Sequence, residues 1–452
     1  MFIGQSTKQM RSDWLISGGH FVSPGAAVNL NTGFTYRLQA VDEQNVHKTS
    51  GGVFLPGRTL EKREENTMVY YHKLGEVPHK RHTAFRRKDG GIYQEQLMGR
   101  GFSGITSLLY TLRPPTELSG VERMKETHWE PESDPTLHLR HLRTHRLPSA
   151  GKSPVLDRTP LLFNDDIGIS IAFPLAGEDV LYCNGQGDEI VFVTEGEGVL
   201  ESQMGELDFT QGDYLVIPKG IIHRYRLTAL QNTLYIIESR GYVRSPSRYR
   251  NNHGQLLEHS PYCERDIRTP SRLITRDSIG EFPVMVKSRN GLQCMTLTHH
   301  PFDTVGWDGY YYPWAFNIRD FEPITGRIHQ PPPVHQTFEG DGFVVCSFVP
   351  RLFDYHPDSI PVPYNHSNIG TDEVIYYCSE EFMSRKGIEC GSITLHPDGM
   401  PHGPHPGKAE ASIGLKETKE TAVMVDAFKP LFVAKTALGC EDREYQTSWL
   451  EQ

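Results

Sequence analysis

Apolar residues in this chain come in short alternating runs, and a turn residue closes each run. "EIVFV" (189–193), "DYLVIP" (213–218), "GFVVCSFV" (342–349), "EVIYY" (373–377) and "GSITL" (391–395) all follow that plan. A period of two over roughly four to six residues, bounded by Gly, Pro, Asn or Asp, specifies a strand, because alternate side chains share a face. The 42 glycines and 31 prolines are scattered as punctuation, with no repeat among them. Many such strands at short spacing specify an all-β sandwich or barrel. Helical signals are few, and "RPPTELSGVERM" (113–124) predicts one short helix.

The 452 residues suffice for two or three domains with real cores. Four regions and a tail follow from the pattern. Residues 1–67 are a polar extension. Residues 68–165 are a β segment ending in a Pro- and charge-rich connection, 166–282 a first β unit, 283–436 a second, and 437–452 a tail. A net charge of −10 argues against nucleic acid as a partner, since phosphate contacts need a basic surface. No apolar run reaches the roughly 18 residues that span a bilayer, so no membrane partner is expected. Seven cysteines without a C-x-x-C pair suit reduced thiols and a cytoplasmic location. The opening segment, poor in acids and containing Ser and Thr, is also compatible with organelle import.

The second unit carries two linked motifs. "HSNIGTDE" holds His366, Asn368 and Glu373, and "GSITLHPDGMPH" holds Gly391, Pro397, Gly399 and His402. They resemble the two cupin signatures, H-x-H-x₃₋₄-E and G-x₅-P-x-G-x₂-H, with Asn368 in place of the middle histidine. The expected fold is therefore a bicupin, two jelly-roll β-barrels with few short helices. Strand alternation lets His366 and Asn368 face one side, a turn at "GTD" returns Glu373 to it, and the Pro-x-Gly turn delivers His402. Two imidazoles and one carboxylate make the facial set that holds non-haem Fe(II) with open positions. A fourth protein ligand would close one of them. Asn368 thus favours a centre that takes substrate and O₂ together.

The first unit repeats the frame without the chemistry: Glu189, Gly196, Gly212, Pro218, Gly220 and His223 are present, but Asn184 stands where an upstream histidine would be. A lone His–Glu pair is a weak metal site, and turn geometry alone explains the glycines and proline. This unit reads as structural. The tract "HLRHLRTH", with His138, His141 and His145, has arginines interleaved that repel a cation and no carboxylate within it, so it carries no metal expectation.

Beyond the cupin motifs, the blocks "YYHKLGEVPHKRHT", "GIYQEQLMGRGFSG", "SLLYTLRPP", "VGWDGYYYPWAFNI" and "PYNHSN…DEVIYY…FMSRKG…GSITLHPDGMPHGPHPG" resemble the homogentisate 1,2-dioxygenase family over about residues 68–436. The resemblance implies an Fe(II) enzyme that opens a hydroquinone ring with O₂, homogentisate to maleylacetoacetate in tyrosine and phenylalanine catabolism. It also implies a homo-oligomer, a trimer or hexamer. It places the iron on His366, Glu373 and His402. It assigns proton handling at the phenolic oxygen to His329 in "GRIHQPPPVHQ", with His335 as the competing position. Against the substrate it sets Asn368 and His396, beside His402 itself. Two departures bear on the substrate. The step from first histidine to glutamate is seven residues here and six in many members. A substrate-contacting tyrosine expected nine residues after the glutamate falls on Phe382, which cannot donate a hydrogen bond; Tyr377 or Tyr376 is left to substitute. The alternatives are a related dioxygenase acting on gentisate or another hydroquinone, and a metal-dependent cupin isomerase or decarboxylase that consumes no O₂.

Overall fold

The segment Asp188–Glu195 shows why these runs become strands. Its residues alternate yet nearly all are buried, because the strand is covered on both faces. In the computed structural model the described residues are the strands within 15–37 and residues 70–450, less 88–89, 149–150, 152, 176–179, 327–331 and 380–381. Two units are present. In Met1–Glu64 the described strands form two hairpins, Leu15–Ser17 with His20–Val22 and Ala27–Leu30 with Phe34–Arg37. Everything that follows concerns Glu65–Gln452.

The first barrel is built from two sheets. One has eight strands, ordered Ile267–Arg268, Trp314–Asn317, Asp213–Ile217, Asp188–Glu195, Thr233–Ser239, Ile167–Ala172, Thr159–Phe163 and Phe432–Val433. The other has seven, ordered Leu118–Glu126, Gly291–His299, Ile279–Ser288, Leu181–Asn184, His223–Leu227, Gly198–Ser202 and Gly205–Phe209. Ile190 and Phe192 from the first sheet share one apolar cluster with Leu200, Leu207 and Tyr225 from the second. A boundary at 282/283 would cut the strand Ile279–Ser288, and strands as late as Trp314–Asn317 still belong to the first barrel. Residues 113–124 do not form a helix. Leu118–Glu126 is an exposed edge strand whose Val121 pairs with Met295, so the hydrogen bonds of an available neighbour outweigh the local helical signal.

The second barrel centres on six strands: Arg140–Arg143, Ser392–His396, Asp372–Tyr377, Ala422–Ala427, Phe343–Phe348 and Gln336–Gly340. The first of these comes from the connection before residue 165, far away in sequence. The tract "HLRHLRTH" is thus an inter-element staple. Arg140 binds Glu132 and Glu441, and His141 lies between Asp442 and Ser392. The tail after 436 is likewise structured, with 3₁₀ turns at Lys435–Cys440 and Tyr445–Thr447.

The two barrels meet back to back. On the strand Asp372–Tyr377, Val374 and Tyr376 face the first barrel, while Glu373, Ile375 and Tyr377 face the interior of the second. Tyr376 stacks on Tyr235 with ring centroids 4.4 Å apart and planes 2° from parallel, and its hydroxyl shares a hydrogen bond with Thr194. An aromatic pair of this kind adds about 1 kcal/mol to its area burial. Tyr376 is therefore a seam residue and not a substrate contact. No helix among the described residues is long and apolar enough to cross a membrane.

Candidate metal centre

The centre is assembled from two short pieces that pair with each other. His366–Ser367 and Pro401–His402 form a two-residue ladder in which His366 lies opposite His402, bringing the imidazole centroids to 4.3 Å. Cross-ties hold the two motifs together. The Gly399 amide donates to the Asn368 carbonyl, Gly370 to the Asp398 carboxylate and Asp398 to the Asp372 carboxylate. Gly399 has φ of +78°, a left-handed turn that glycine adopts without a Cβ penalty. This is why the second motif needs glycine there.

Each ligand histidine is held in one tautomer. Nδ1–H of His366 donates to the Tyr364 carbonyl at 2.8 Å, and Nδ1–H of His402 donates to the Met400 carbonyl at 2.9 Å. Both Nε2 lone pairs are thereby turned towards Glu373, at 3.9 Å from Oε2 for His366 and 3.6 Å from Oε1 for His402. The three ligand atoms lie within 4.8 Å of one another. Donors each about 2.1 Å from a small divalent ion lie about 3 to 4 Å apart, so the spacing fits one. Nε2 of His402 is buried without a hydrogen-bond partner, which is the orphaned atom that a cation would satisfy. His366 is partly exposed and forms the rim, whereas Glu373 and His402 are buried.

The electrostatics match. Burial pushes the Glu373 carboxyl up, but the neighbouring imidazoles of His366, His396 and His402, of which His396 donates a hydrogen bond, outweigh it and hold the group well below the ordinary value of 4.5. The neighbouring Glu373 carboxylate raises His366. Asp426, directly across the ladder from Glu373, is pushed up to about 7 by burial and by that carboxylate, and its Oδ1 is buried without a partner. Nδ2 of Asn368 is also buried and unpartnered. Arg385 is buried with no acidic partner among the described residues; its Nη1 donates to the Gly403 carbonyl, and Glu373 is one of its charged neighbours.

The remaining expected residues fall elsewhere. His396 does not face an open pocket. It is fully buried, its Nδ1–H donates to Glu373 at 2.6 Å, and its Nε2 lies 3.3 Å from the Tyr445 hydroxyl. It pairs with Glu373 in the ladder, so the offset that suggested a substrate contact instead delivers a support for the carboxylate. Tyr377 shares the face of Glu373 but lies four residues further along. It is fully buried, tied to Thr394 at 3.0 Å and packed edge-on against Phe382, so it too is committed to the core. His335 is buried on Phe348, towards the other end of the same sheet, and burial with the Arg351 charge depresses it to about 3. His329 lies outside the described residues. Sequence reasoning missed Asp426 and Tyr445, which carry no motif, and gave no role to Arg385 within the block "FMSRKG".

The first barrel repeats the frame with a different occupant. His223 donates Nδ1–H to the Ile221 carbonyl as His402 does to Met400, and its Nε2 is again buried without a partner. Glu189 is fully buried, but the Arg158 guanidinium binds both its oxygens, at 2.9 and 2.8 Å, with Asn184 at 2.9 Å and Tyr182 at 3.2 Å. Burial would push Glu189 up; the guanidinium more than offsets it and holds the carboxyl low. A permanent cation from the chain thus neutralises the glutamate that a metal would bind. Among the described residues, only His366, Glu373 and His402 group as metal ligands.

A family model and several known proteins match this chain. A family model described as the N-terminal part of homogentisate 1,2-dioxygenase matches residues 74–318, ending where the first barrel closes at Trp314–Asn317. A Saccharolobus solfataricus protein named "Putative dioxygenase SSO1533" is 45% identical over 387 residues, covering 84% of this chain and 99% of that protein. The homogentisate 1,2-dioxygenase of Bradyrhizobium diazoefficiens is 26% identical over 368 residues, covering 75% of this chain and 81% of its own length. Among solved structures, a cupin 2 conserved barrel domain protein from Leptotrichia buccalis matches 65% of this chain and 99% of its own at 12% identity, with a TM-score of 0.29.

Proposed function

Because the chain belongs to the homogentisate 1,2-dioxygenase family, we propose that it opens the ring of a hydroquinone-type aromatic acid with O₂, and that homogentisate is the substrate. Both oxygen atoms enter the product, maleylacetoacetate. The observation that carries the reading is the convergence of His366, Glu373 and His402 with both imidazole Nε2 lone pairs free. Held by His366, Glu373 and His402, a ferrous ion would supply redox-active Lewis-acid chemistry towards the ring oxygen and O₂.

The chain's own residues do the rest. Glu373 keeps its charge in a buried setting because His396 donates a hydrogen bond to it and the His366 and His402 imidazoles lie beside it. The unpartnered amide of Asn368 is available to donate to a hydroxyl or oxygen atom of the bound ligand. Arg385 supports an acidic side chain on the substrate, since its buried guanidinium lacks an acidic partner among the described residues. Proton removal from the phenolic hydroxyl is assigned to His329, because His335 packs on Phe348 away from the ligand set. The assembly is proposed to be a homo-oligomer.

A second reading keeps the chemistry and changes the substrate. Phe382 lacks the hydroxyl expected at its position and is packed in the core, which favours a ligand other than homogentisate. Oxygen uptake by Fe(II)-loaded protein with homogentisate, gentisate and plain hydroquinone separates the two. Uptake with homogentisate above the others supports the first reading; none with any of the three refutes both.

A further inference from the structure

The carboxylate ligand has a support that reaches it from the far C-terminus. Residues after 436 cross the second barrel and are fastened at several points. The Asp442 amide donates to the His141 carbonyl, the Leu139 amide to the Gln446 side chain, and Trp449 Nε1–H to the Gly403 carbonyl. Trp449 also stacks on His405, with centroids 4.1 Å apart. These anchors drive Tyr445 into the interior, where 3% of it remains exposed, and its ring lies nearly parallel to that of His396.

The hydrogen-bond directions are then forced. A carboxylate that ligates a metal only accepts hydrogen bonds, so the His396 Nδ1 atom 2.6 Å from Glu373 carries the proton. With that proton on Nδ1, the neutral imidazole presents its Nε2 as an acceptor. Among the described residues, the hydroxyl beside that nitrogen is Tyr445 Oη, at 3.3 Å. Tyr445 therefore donates to Nε2, fixes the tautomer of His396, and through it fixes Glu373.

We propose that Tyr445 is a positioning residue of the metal centre, acting through His396 to hold the Glu373 carboxylate ready for the ion, which makes the C-terminal segment part of the site. The proposal rests on the metal-centre reading above. Partners that orient ligands typically contribute about 10- to 100-fold in metal affinity, and a group one bond further out contributes less, about 3- to 10-fold.

The test uses the full chain stripped of metal and titrated with Co(II), whose absorption reports both affinity and ligand geometry. Tyr445→Phe keeps the buried ring and removes only the hydroxyl. It should weaken Co(II) binding about 3- to 10-fold and shift the absorption bands. Thr447→Ala, which removes an exposed hydroxyl of the same segment that bonds to the Glu444 carbonyl and not to His396, should bind as the parent does. In a His396→Ala background, Tyr445→Phe should add little, since the two act in series. Parent affinity and spectrum in Tyr445→Phe, or an undiminished loss in the His396→Ala background, would overturn the proposal alone. A parent protein that takes up no Co(II) would overturn the metal-centre reading, and this inference with it.

Discussion

Replacing Arg158 by methionine tests whether the first barrel carries its own cation. The substitution preserves most of the side-chain volume and removes two charge-assisted hydrogen bonds from a fully buried carboxylate. Asn184 and Tyr182 still reach Glu189, and Glu238 keeps its contact with Lys287, so the loss is concentrated on one charge. Breaking a buried pair from one side costs about 3 to 5 kcal/mol. The carboxyl can escape by taking up a proton. With an ordinary pKa of 4.5, that costs about 3 kcal/mol at pH 7 and under about 1 kcal/mol at pH 5. Arg158→Met should therefore destabilise by about 3 kcal/mol at pH 7 and about 1 kcal/mol at pH 5. Thermal unfolding followed by circular dichroism would show a drop of about 6 to 12 °C at pH 7 and about 2 to 4 °C at pH 5. Adding Glu189→Gln should return most of the loss at pH 7, because nothing charged is left stranded. An equal loss at both pH values would reduce Arg158 to a packing role. A parent protein carrying two metal ions per chain would refute the reasoning outright.

Other outcomes follow from the second barrel. Glu373→Gln or His402→Ala should cut divalent-metal affinity by about 100-fold or more, read by metal content after dialysis. Asp426→Asn should stabilise the metal-free protein at pH 8 and have little effect at pH 4. The folded value near 7 lies above the ordinary 3.8, so the native carboxyl opposes folding once pH rises through that window, and thermal melts at the two pH values check it. His396 is held near 4 against an ordinary 6.5, so its contribution is present above pH 6.5 and lost as pH falls towards 4, about 3 kcal/mol in all. His396→Gln should flatten the acid limb of a stability-against-pH curve. Tyr376→Ala removes the stack on Tyr235 and should cost about 3 to 5 kcal/mol, seen as a lower midpoint in thermal unfolding.

What could be read in advance was what local geometry encodes. The period of two marked five runs that each fall on a strand, and the spacing within "HSNIGTDE" and "GSITLHPDGMPH" singled out the residues that the structure brings together, because turn and pleat fix those offsets over a few residues. Long-range choices left no such trace. Arg158 meets Glu189 across 31 positions and Tyr445 meets His396 across 49, with nothing periodic between them. The strand Arg140–Arg143 joins a sheet whose neighbour Ser392–His396 is some 250 residues later, so its sequence looked like a charged connection. Residues 113–124 looked helical for the converse reason: the pairing that makes Leu118–Glu126 a strand is supplied by Gly291–His299. His396 was located correctly within the second motif and given the wrong neighbour, since spacing fixes a face but not what else shares it.

The strand Asp372–Tyr377 has no idle side: one face presents Glu373 to the centre and the other locks Tyr376 into the seam with Tyr235. The halves of the molecule are consequently not interchangeable cassettes. A chimaera that grafts this ligand-bearing barrel onto a different N-terminal half would have to transplant both tyrosines as a matched pair, or the carboxylate would arrive on a backbone free to shift.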